Sequence, residues 1–298
     1  MEKTKGYLAA IISNISYGLI PLFIIPVKQA SFSMDVTLAY RFTIAAALAL
    51  LILLIKGEHL KLNLRELFLL LSLGLDYALS NELLFLGYDL TSPAVASTLL
   101  FIYPVLVALI AFFVFKEKLK KGTLIALCVS MFGVYLLTMG DSSFLINFPG
   151  LLAALGAALF YALFILTVNR GNLQITAWKI SFYSLFFAAI YYLVKSVIRG
   201  ESLLLPEAST ILYFALFALI TTVISNVGLI YAAKRIGATP TAIMGALEPV
   251  VAVVISVYVF FEATSWKLIL GMLLIIVGVL FNILADRKRL PPAQTVKK

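Results

Sequence analysis

Three acidic side chains lie inside long apolar stretches of the sequence. Asp76 and Glu82 fall in LLSLGLDYALSNELLFLGY, and Glu248 falls in TAIMGALEPVVAVVISVYVF, directly before Pro249. An ionised carboxylate is costly to remove from water unless it is paired, so its presence in such a stretch indicates a function. These groups could exchange a proton or bind a cationic group of a ligand. The sequence therefore makes Asp76 and Glu248 candidate site residues.

The two acids of the first stretch cannot both face one site. Six residues at about 100° each place Asp76 and Glu82 roughly 120° apart around a helix. Asp76 is either a functional group or a residue nearer an interface that pairs with a lysine. Glu82 is closer to the end of its stretch, where a solvated or vestibule-facing carboxylate is favoured over a ligand-binding one. Which of the two faces a cavity stays open.

Amide and phenol side chains add candidate ligand contacts. Asn81 and Asn226 offer donors and acceptors, although hydrogen bonds between helices would also explain them. Tyr17, Tyr103 and Tyr161 carry rings that could stack on a flat or apolar substrate, and the alternative is an aromatic belt at a membrane interface. We expect these five residues to line a substrate site.

Prolines interrupt several of the apolar stretches. Pro104 and Pro249 fall near the middle of theirs, and Pro21 falls late in the first. A proline inside a helix removes a backbone donor and bends or breaks the helix. We therefore expect Pro21, Pro104 and Pro249 to act as helix breaks or hinges beside a binding site.

Several classes of active site are disfavoured by composition. The chain has one histidine and one cysteine, which offer neither a metal cluster nor an intramolecular disulfide. A GxxxxGK[ST] phosphate-binding sequence does not occur, which argues against ATP-driven transport by this chain alone. Because converging catalytic groups are also lacking, we expect neither a metal nor a cofactor, and an integral membrane enzyme is the less favoured alternative.

The elements that would position these residues are membrane-spanning helices. Hydrophobic residues make up 63% of the 298 residues and charged residues 12%, which predicts an all-α membrane protein. Each span needs about 20 mostly apolar residues. Ten spans are predicted: 6–25, 36–55, 64–86, 94–115, 122–138, 150–168, 176–197, 210–232, 241–261 and 267–284.

The sequence also repeats itself. Residues 80–134 align without gaps with residues 225–279 at a shift of 145, and the front of each half aligns at a shift of 144. The change of shift implies a single-residue length difference between the aligned blocks. We predict two five-helix repeats at 1–140 and 148–285, followed by a basic cytoplasmic tail at 286–298. Small residues repeat every seven positions in the fifth and tenth spans, at Ala126, Gly133, Gly271 and Gly278, and predict close helix packing.

The distribution of charge gives the predicted orientation. The 23 Lys and Arg residues divide 18 to 5 between the two sides of the ten-span arrangement. By the positive-inside rule both termini are cytoplasmic, and the net charge of +9 reflects topology rather than nucleic-acid binding. Arg41, on the sparse side, is expected to snorkel to the headgroups. Five spans per repeat is an odd number, so the two repeats must be inverted, an arrangement typical of secondary transporters.

The repeated pattern resembles a known family, the EamA-type transporters of the drug/metabolite transporter superfamily. The matching segments are Tyr103-Pro104-Val105, Phe115-Lys116-Glu117-Lys118-Leu119, Gly133, Glu248-Pro249-Val250, Phe260-Phe261-Glu262, Gly271 and Gly278. The resemblance covers residues 6–284. It implies ten spans in two halves and a central cavity lined mainly by the first, third, fourth, sixth, eighth and ninth spans, with the fifth and tenth at the edge.

These observations lead to a functional expectation. We expect a secondary transporter that exports small metabolites such as amino acids across a prokaryotic cytoplasmic membrane by alternating access, with possible partners limited to a small-molecule substrate and the lipid bilayer. Proton coupling through Glu248 or Asp76 is one hypothesis, and a passive channel or facilitator is the main alternative. Either a monomer or a homodimer is compatible with the sequence, and substrate identity, net direction and coupling ion are left open.

Overall fold

The computed structural model describes residues 2–20, 22–23, 33–90, 96, 99–138, 147–201, 203, 208–259 and 266–287, and within these ranges all regular structure is helical. Pro21 and the tail from residue 288 onward lie outside the described residues. The helices are α1 (Glu2–Gly18), α2 (Met34–Ile55), α3 (Leu64–Leu90), α4 (Tyr103–Phe113), α5 (Lys121–Thr138), α6 (Phe148–Arg170), α7 (Ala177–Ile198), α8 (Ala208–Ala218), α9 (Ser225–Ile236), α10 (Ala238–Met244), α11 (Leu247–Tyr258) and α12 (Trp266–Arg287).

Five helical stretches are long and apolar enough to cross a membrane: Met34–Ile55, Leu64–Gly87, Phe148–Arg170, Ala177–Ile198 and Thr210–Ile236. Shorter apolar helices cover Tyr103–Phe113, Lys121–Leu136 and Ile269–Ala285. The all-helical membrane class is confirmed, and the five long stretches start and end within about four residues of predicted spans, whereas Tyr103–Phe113 covers only the second half of the predicted span 94–115. The count of ten spans and the inverted repeats remain predictions.

Pro104 and Pro249 lie beside interruptions of their predicted spans, at the starts of helices and not inside continuous ones. The chain turns at 101–102 and again at 245–246, so Pro104 falls in the first turn of α4 and Pro249 in the first turn of α11. A proline is tolerated there because the first N–H groups of a helix lack intrahelical partners. The breaks in the predicted fourth and ninth spans therefore lie just before the prolines.

α2 and α7 share the same terminal features. Ser33 and Thr176 cap the two helices, and each hydroxyl oxygen accepts a hydrogen bond of 3.2 Å from the backbone N–H three residues later. Gly57 and Gly200 follow the two helices with φ of +65° and +68°, a conformation that glycine adopts without strain. Thr176 follows Ser33 by 143 positions, and Gly200 follows Gly57 by the same number. This structural match supports the proposed duplication.

A π-helix at Leu219–Ile224 joins α8 to α9, whereas the corresponding stretch of α3 is regular. A π-helical turn holds more residues than an α-helical one and commonly occurs as a single turn at functional sites. One residue inserted into an α-helix can therefore be accommodated as a π-helical turn. This insertion explains part of the rise in the repeat shift from 143 at α2 and α7 to 145 beyond Ser225.

Helices of the first predicted half pack against helices of the second. α2 packs on α7, α3 on α6, α1 on α9 and α5 on α12. A Cβ on Gly133 of α5 would lie 2.8 Å from the carbonyl oxygen of Gly271, and one on Gly278 would lie 2.9 Å from the Ser130 nitrogen. The predicted small-residue packing of the fifth and tenth spans is thus confirmed.

Candidate functional site

The carboxyl group of Glu248 lies at the centre of the helices. The side chain belongs to the first turn of α11, beside the chain turn at 245–246, and is 4% exposed. It interacts electrostatically with the phenols of Tyr77, Tyr103 and Tyr161, which reach the centre from α3, α4 and α6. Among the described residues, none forms a hydrogen bond or ion pair with this carboxyl group. Glu248 is therefore a buried acid that the described residues leave uncompensated.

Tyr103, at the start of α4, contacts both Tyr161 of α6 and the chain turn before α11. The rings of Tyr103 and Tyr161 meet edge to face with centroids 4.7 Å apart. The Tyr103 hydroxyl reaches across to Gly245 in the chain turn before α11 and occupies the space that a Cβ there would need. Tyr17 of α1 interacts electrostatically with both rings. The structure thus brings Tyr17, Tyr103 and Tyr161 together around Glu248.

We expect Gly245→Ala to destabilise the protein. Its backbone, at φ −58° and ψ −22°, suits any residue, so the effect would come from contact: the new Cβ would overlap the Tyr103 hydroxyl and lie 2.7 Å from its Cζ. Overpacking of this kind costs about 2 kcal/mol. Thermal unfolding in detergent measures the loss, and Tyr103→Phe in the same chain should restore part of it.

Gly156→Ala is the matched control for this substitution, because its Cβ would meet only the flexible end of Leu83, at 3.0 Å from Cδ1. Equal melting temperatures for Gly245→Ala and Gly156→Ala would show that the Tyr103 contact is not tight.

Arg41 is a site residue that the sequence reading missed. Its side chain is 2% exposed, so the expected snorkelling is wrong. The guanidinium turns inward, where its Nε donates a 2.7 Å hydrogen bond to Thr222 Oγ1 in the π-helix, and it lies near the Tyr17 ring. The available signal was the position of Arg41 several residues inside an apolar helix, at a depth that favours a functional role.

The two candidate asparagines differ in environment. Asn81 donates a 2.8 Å hydrogen bond to the Tyr77 carbonyl of its own helix, so its described hydrogen bond lies within α3. Asn226 lies beside the Tyr77 phenol. Its buried amide nitrogen and oxygen make no regular hydrogen bond within the described part of the chain. Of these two asparagines, Asn226 is therefore the one whose amide could contact a ligand at the centre.

Asp76 and Glu82 lie apart from Glu248. Asp76 is 9% exposed, and its described polar contact is a 3.4 Å hydrogen bond accepted from Ser72 in the same helix. Glu82 pairs with Lys195 of α7. The structure therefore places Asp76 on a separate face of α3 and puts Glu82 in an ion-pair network at the end of the helices.

That network ties α2 and α3 to α7 at one end, which we call the acidic end. Lys195 Nζ lies 2.7 Å from Asp35 Oδ1, and Arg199 Nη1 lies 2.8 Å from Asp35 Oδ2. At the other end, which we call the basic end, Lys56 lies 4.9 Å from the centroid of the Trp178 ring. Lys56 and Trp178 occupy the positions matched to Arg199 and Asp35 at the shift of 143. An ion pair at one end is thus replaced by a cation–π contact at the other.

A cavity opens at the basic end. It has a volume of about 730 Å³ and runs between α1, α9 and the start of α7. Its walls are mainly apolar, and its charged lining residues are Lys56, Glu58, Lys234 and Arg235. A smaller cavity of about 470 Å³ lies beside Lys195 and Arg199 at the acidic end. Neither of these two cavities is lined by Glu248 or by the tyrosines around it.

The candidate site contains no recognisable metal centre in the described ranges, where no group of three His, Cys, Asp or Glu residues converges. The polar atoms that converge belong instead to one carboxyl, one guanidinium, one amide and several phenols. Such a set can bind a small polar molecule by hydrogen bonds and charge, and it can hold or release a proton at Glu248.

Comparisons with known proteins agree with this architecture. The chain is 27% identical over 261 residues to the uncharacterized transporter YyaM of Bacillus subtilis, covering 84% of each chain. It is 25% identical over 248 residues to an uncharacterized transporter of Clostridium kluyveri, covering 78% of each. A protein of known crystal structure shares the fold, with a TM-score of 0.81 at 18% identity over 96% of this chain and 99% of its own.

The model of the EamA-like transporter family matches residues 4–139 and again residues 148–284. Together these two matches cover nearly the whole chain, and each falls on one of the predicted repeats. The chain therefore belongs to the EamA-like transporter family.

Proposed function

We propose that the protein is a secondary transporter that exports a small polar or amphipathic metabolite, such as an amino acid, by alternating access. The observation that carries the proposal is the position of Glu248, which is buried among tyrosines from both halves and has no ion-pair partner among the described residues. A substrate or a proton would supply the missing compensation. The same carboxyl would then couple substrate movement to proton movement.

The tyrosines give this site its binding surface. Tyr17, Tyr77, Tyr103 and Tyr161 present aromatic rings for apolar or flat parts of a substrate, and their phenols supply hydrogen bonds. Asn226 adds a buried amide beside the Tyr77 phenol, whose nitrogen and oxygen make no regular hydrogen bond to the described residues. Asp76 and Asn81 are not part of this surface, so we propose structural roles for both.

The two ends of the α2–α7 pair support alternating access. Asp35, Lys195 and Arg199 join α2 to α7 at the acidic end by part-buried ion pairs, whereas the basic end carries the cavity of about 730 Å³ and joins the two helices by the Lys56–Trp178 contact and a hydrogen bond from Thr176 to Glu58. We propose that the structure represents the form open at the basic end, and that the two ends open in turn. Matched but chemically different contacts would give each end its own stability.

The proposed location is the cytoplasmic membrane, with the basic end and both termini on the cytoplasmic side. The support comes from the excess of Lys and Arg at that end and from the bacterial origin of the relatives. In this orientation the open cavity receives substrate from the cytoplasm, as an exporter requires.

A counterflow assay tests the proposed function. A metabolite panel is first screened by thermal shift on the purified protein, because a bound ligand raises the melting temperature. Each hit is then loaded into proteoliposomes, and uptake of the labelled compound is followed. We expect saturable uptake that exceeds equilibration. Flux that rises linearly with concentration and shows no counterflow would instead identify a passive channel.

A further inference from the structure

Arg41 is buried without an acidic partner in the described part of the chain. Its side chain is 2% exposed and lies in α2, seven residues after the helix begins at Met34. The neighbours that it contacts are Thr221 and Thr222 of the π-helix and the rings of Tyr17, Phe42 and Phe217. All of these are neutral. A buried cation without a counter-charge opposes folding, so it needs a compensating anion or a functional reason to be retained.

The contacts leave part of the guanidinium unused. Nε donates to Thr222 Oγ1 at 2.7 Å, and Nη2 makes long contacts to Thr221, at 3.4 Å to Oγ1 and 3.5 Å to the carbonyl oxygen. Nη1 makes no hydrogen bond to any described residue. Because guanidinium carries five N–H donors in a planar fork that matches a carboxylate, this side chain retains the capacity to bind one.

The surroundings hold the fork in place and keep water away from it. The Phe217 ring centroid lies 4.8 Å from Cζ, with Phe42 and Tyr17 at 5.8 and 5.9 Å. The Thr221 hydroxyl donates to the Phe217 carbonyl at 2.8 Å, which fixes the threonine that faces Arg41. A charge interaction made in such an apolar cage is stronger than the same interaction in water.

Tyr77 links Arg41 to the transport site. Its phenol interacts electrostatically with both Arg41 and Glu248. Arg41 and Glu248 form no ion pair with each other, so a cation and an anion flank one tyrosine cluster without neutralising each other. A ligand placed among the tyrosines could therefore reach Arg41 with a negatively charged group.

We propose that Arg41, oriented by Thr221 and Thr222, binds a carboxylate group of the transported metabolite. This inference rests on the proposed transport function and specifies its substrate class as small carboxylates. The π-helix has a direct role in it, because the hydroxyls that hold Arg41 lie within its single turn. Arg41 supplies charge and geometry, and the tyrosines supply the apolar surface for the rest of the molecule.

Paired probes test the carboxylate directly. Thermal unfolding of the detergent-solubilised protein is measured with phenylalanine, leucine, benzoate and 3-phenylpropionate, and with the carboxamide of each, at matched ionic strength. We expect at least one carboxylate to raise the melting temperature while its amide does not. If none of the four carboxylates exceeds its amide, the proposal is wrong.

Arg41→Gln is the decisive variant, with Arg170→Gln as its control, because Arg170 pairs with Glu117 at the exposed basic end. We expect the carboxylate-induced shift to disappear in Arg41→Gln and to persist in Arg170→Gln. Without ligand, Arg41→Gln should melt at or above the wild-type temperature, since an uncompensated buried charge is removed. A variant that melts lower yet retains the full carboxylate shift would show that Arg41 is structural.

Arg41→Lys keeps the inference testable if the glutamine variant does not fold. Lysine retains the charge and loses the planar fork, so we expect carboxylate affinity to fall about tenfold rather than vanish. Unchanged affinity would contradict the proposal. Failure of the transport proposal itself is distinguishable: counterflow would then be absent from the wild type, while the carboxylate shift and its dependence on Arg41 could still be measured.

Discussion

Replacing Glu248 with glutamine is expected to reduce transport driven by an imposed pH gradient by about 100-fold or more, a typical effect of removing a group that exchanges a proton. Glutamine has nearly the same shape and cannot be ionised, so the site keeps its packing and loses its proton. The measurement is initial uptake or efflux of the counterflow substrate in proteoliposomes. Counterflow itself needs no net proton movement and should persist in this variant.

Glu117→Gln serves as the control for Glu248→Gln. Glu117 is an exposed acid that pairs with Arg170 at 2.8 Å, away from the tyrosine cluster. Its replacement should leave gradient-driven transport near the wild-type rate. Wild-type transport by Glu248→Gln under the same gradient would refute proton coupling through Glu248.

Asp35→Asn is expected to open the acidic end of the helices. Asp35 accepts from both Lys195 and Arg199, and its side chain is 9% exposed whereas that of Arg199 is 58% exposed. Removing one partner of a fully buried pair costs roughly 3–5 kcal/mol, and the exposure of Arg199 lowers our expectation to about 2 kcal/mol. The remaining Glu82 cannot compensate both cations, so α2 and α7 should separate more often at this end.

Cysteine labelling measures that opening. The single cysteine, Cys128, is exposed and is first replaced by serine. Ser80, which is 4% exposed and donates to the Ala157 carbonyl at 3.0 Å, is then changed to cysteine. We expect a membrane-impermeant maleimide to label residue 80 about 30-fold faster when Asp35 is asparagine, since about 1.4 kcal/mol shifts a two-state population tenfold and the expected loss is about 2 kcal/mol.

Glu58→Gln provides the matched control at the basic end. Glu58 accepts a 2.6 Å hydrogen bond from Thr176 at the start of α7, so its replacement loosens the α2–α7 region at the other end. Labelling of residue 80 should not accelerate in this variant. Equal labelling rates in Asp35→Asn and in the protein with Asp35 intact would argue against the ion pairs as a closing device.

Much of the fold was accessible from the sequence because its signals are local. Apolar runs such as Met34–Ile55 and Phe148–Arg170 predict spans directly, since a bilayer requires about 20 apolar residues per helix. The glycines of α5 and α12 predicted their close packing, because only small side chains let two backbones approach. The positions of the helix breaks were harder, since proline restricts residues on both sides and the turns lie just before Pro104 and Pro249.

The candidate site was only partly accessible. Glu248 was found from its depth in an apolar stretch, and Tyr103 and Tyr161 from their repeat-matched positions. The structure brings the three together. Tyr77 was not singled out, because nothing in its sequence context marks it as a site residue, and the adjacent Asp76 was chosen instead. About 100° of helix rotation separates these neighbours, and this rotation directs Tyr77 to the centre and leaves Asp76 beside Ser72.

The sequence alone determined the membrane class, the approximate spans, the repeat and the family pattern, because each depends on composition or on order along one chain. Tertiary structure decided which charges are compensated. Asp35, Glu82, Lys195 and Arg199 meet across three helices and neutralise one another, whereas Arg41 and Glu248 have no ionic partner among the described residues. That difference depends on which helix faces pack together, and distances across the bundle are not encoded in any single segment.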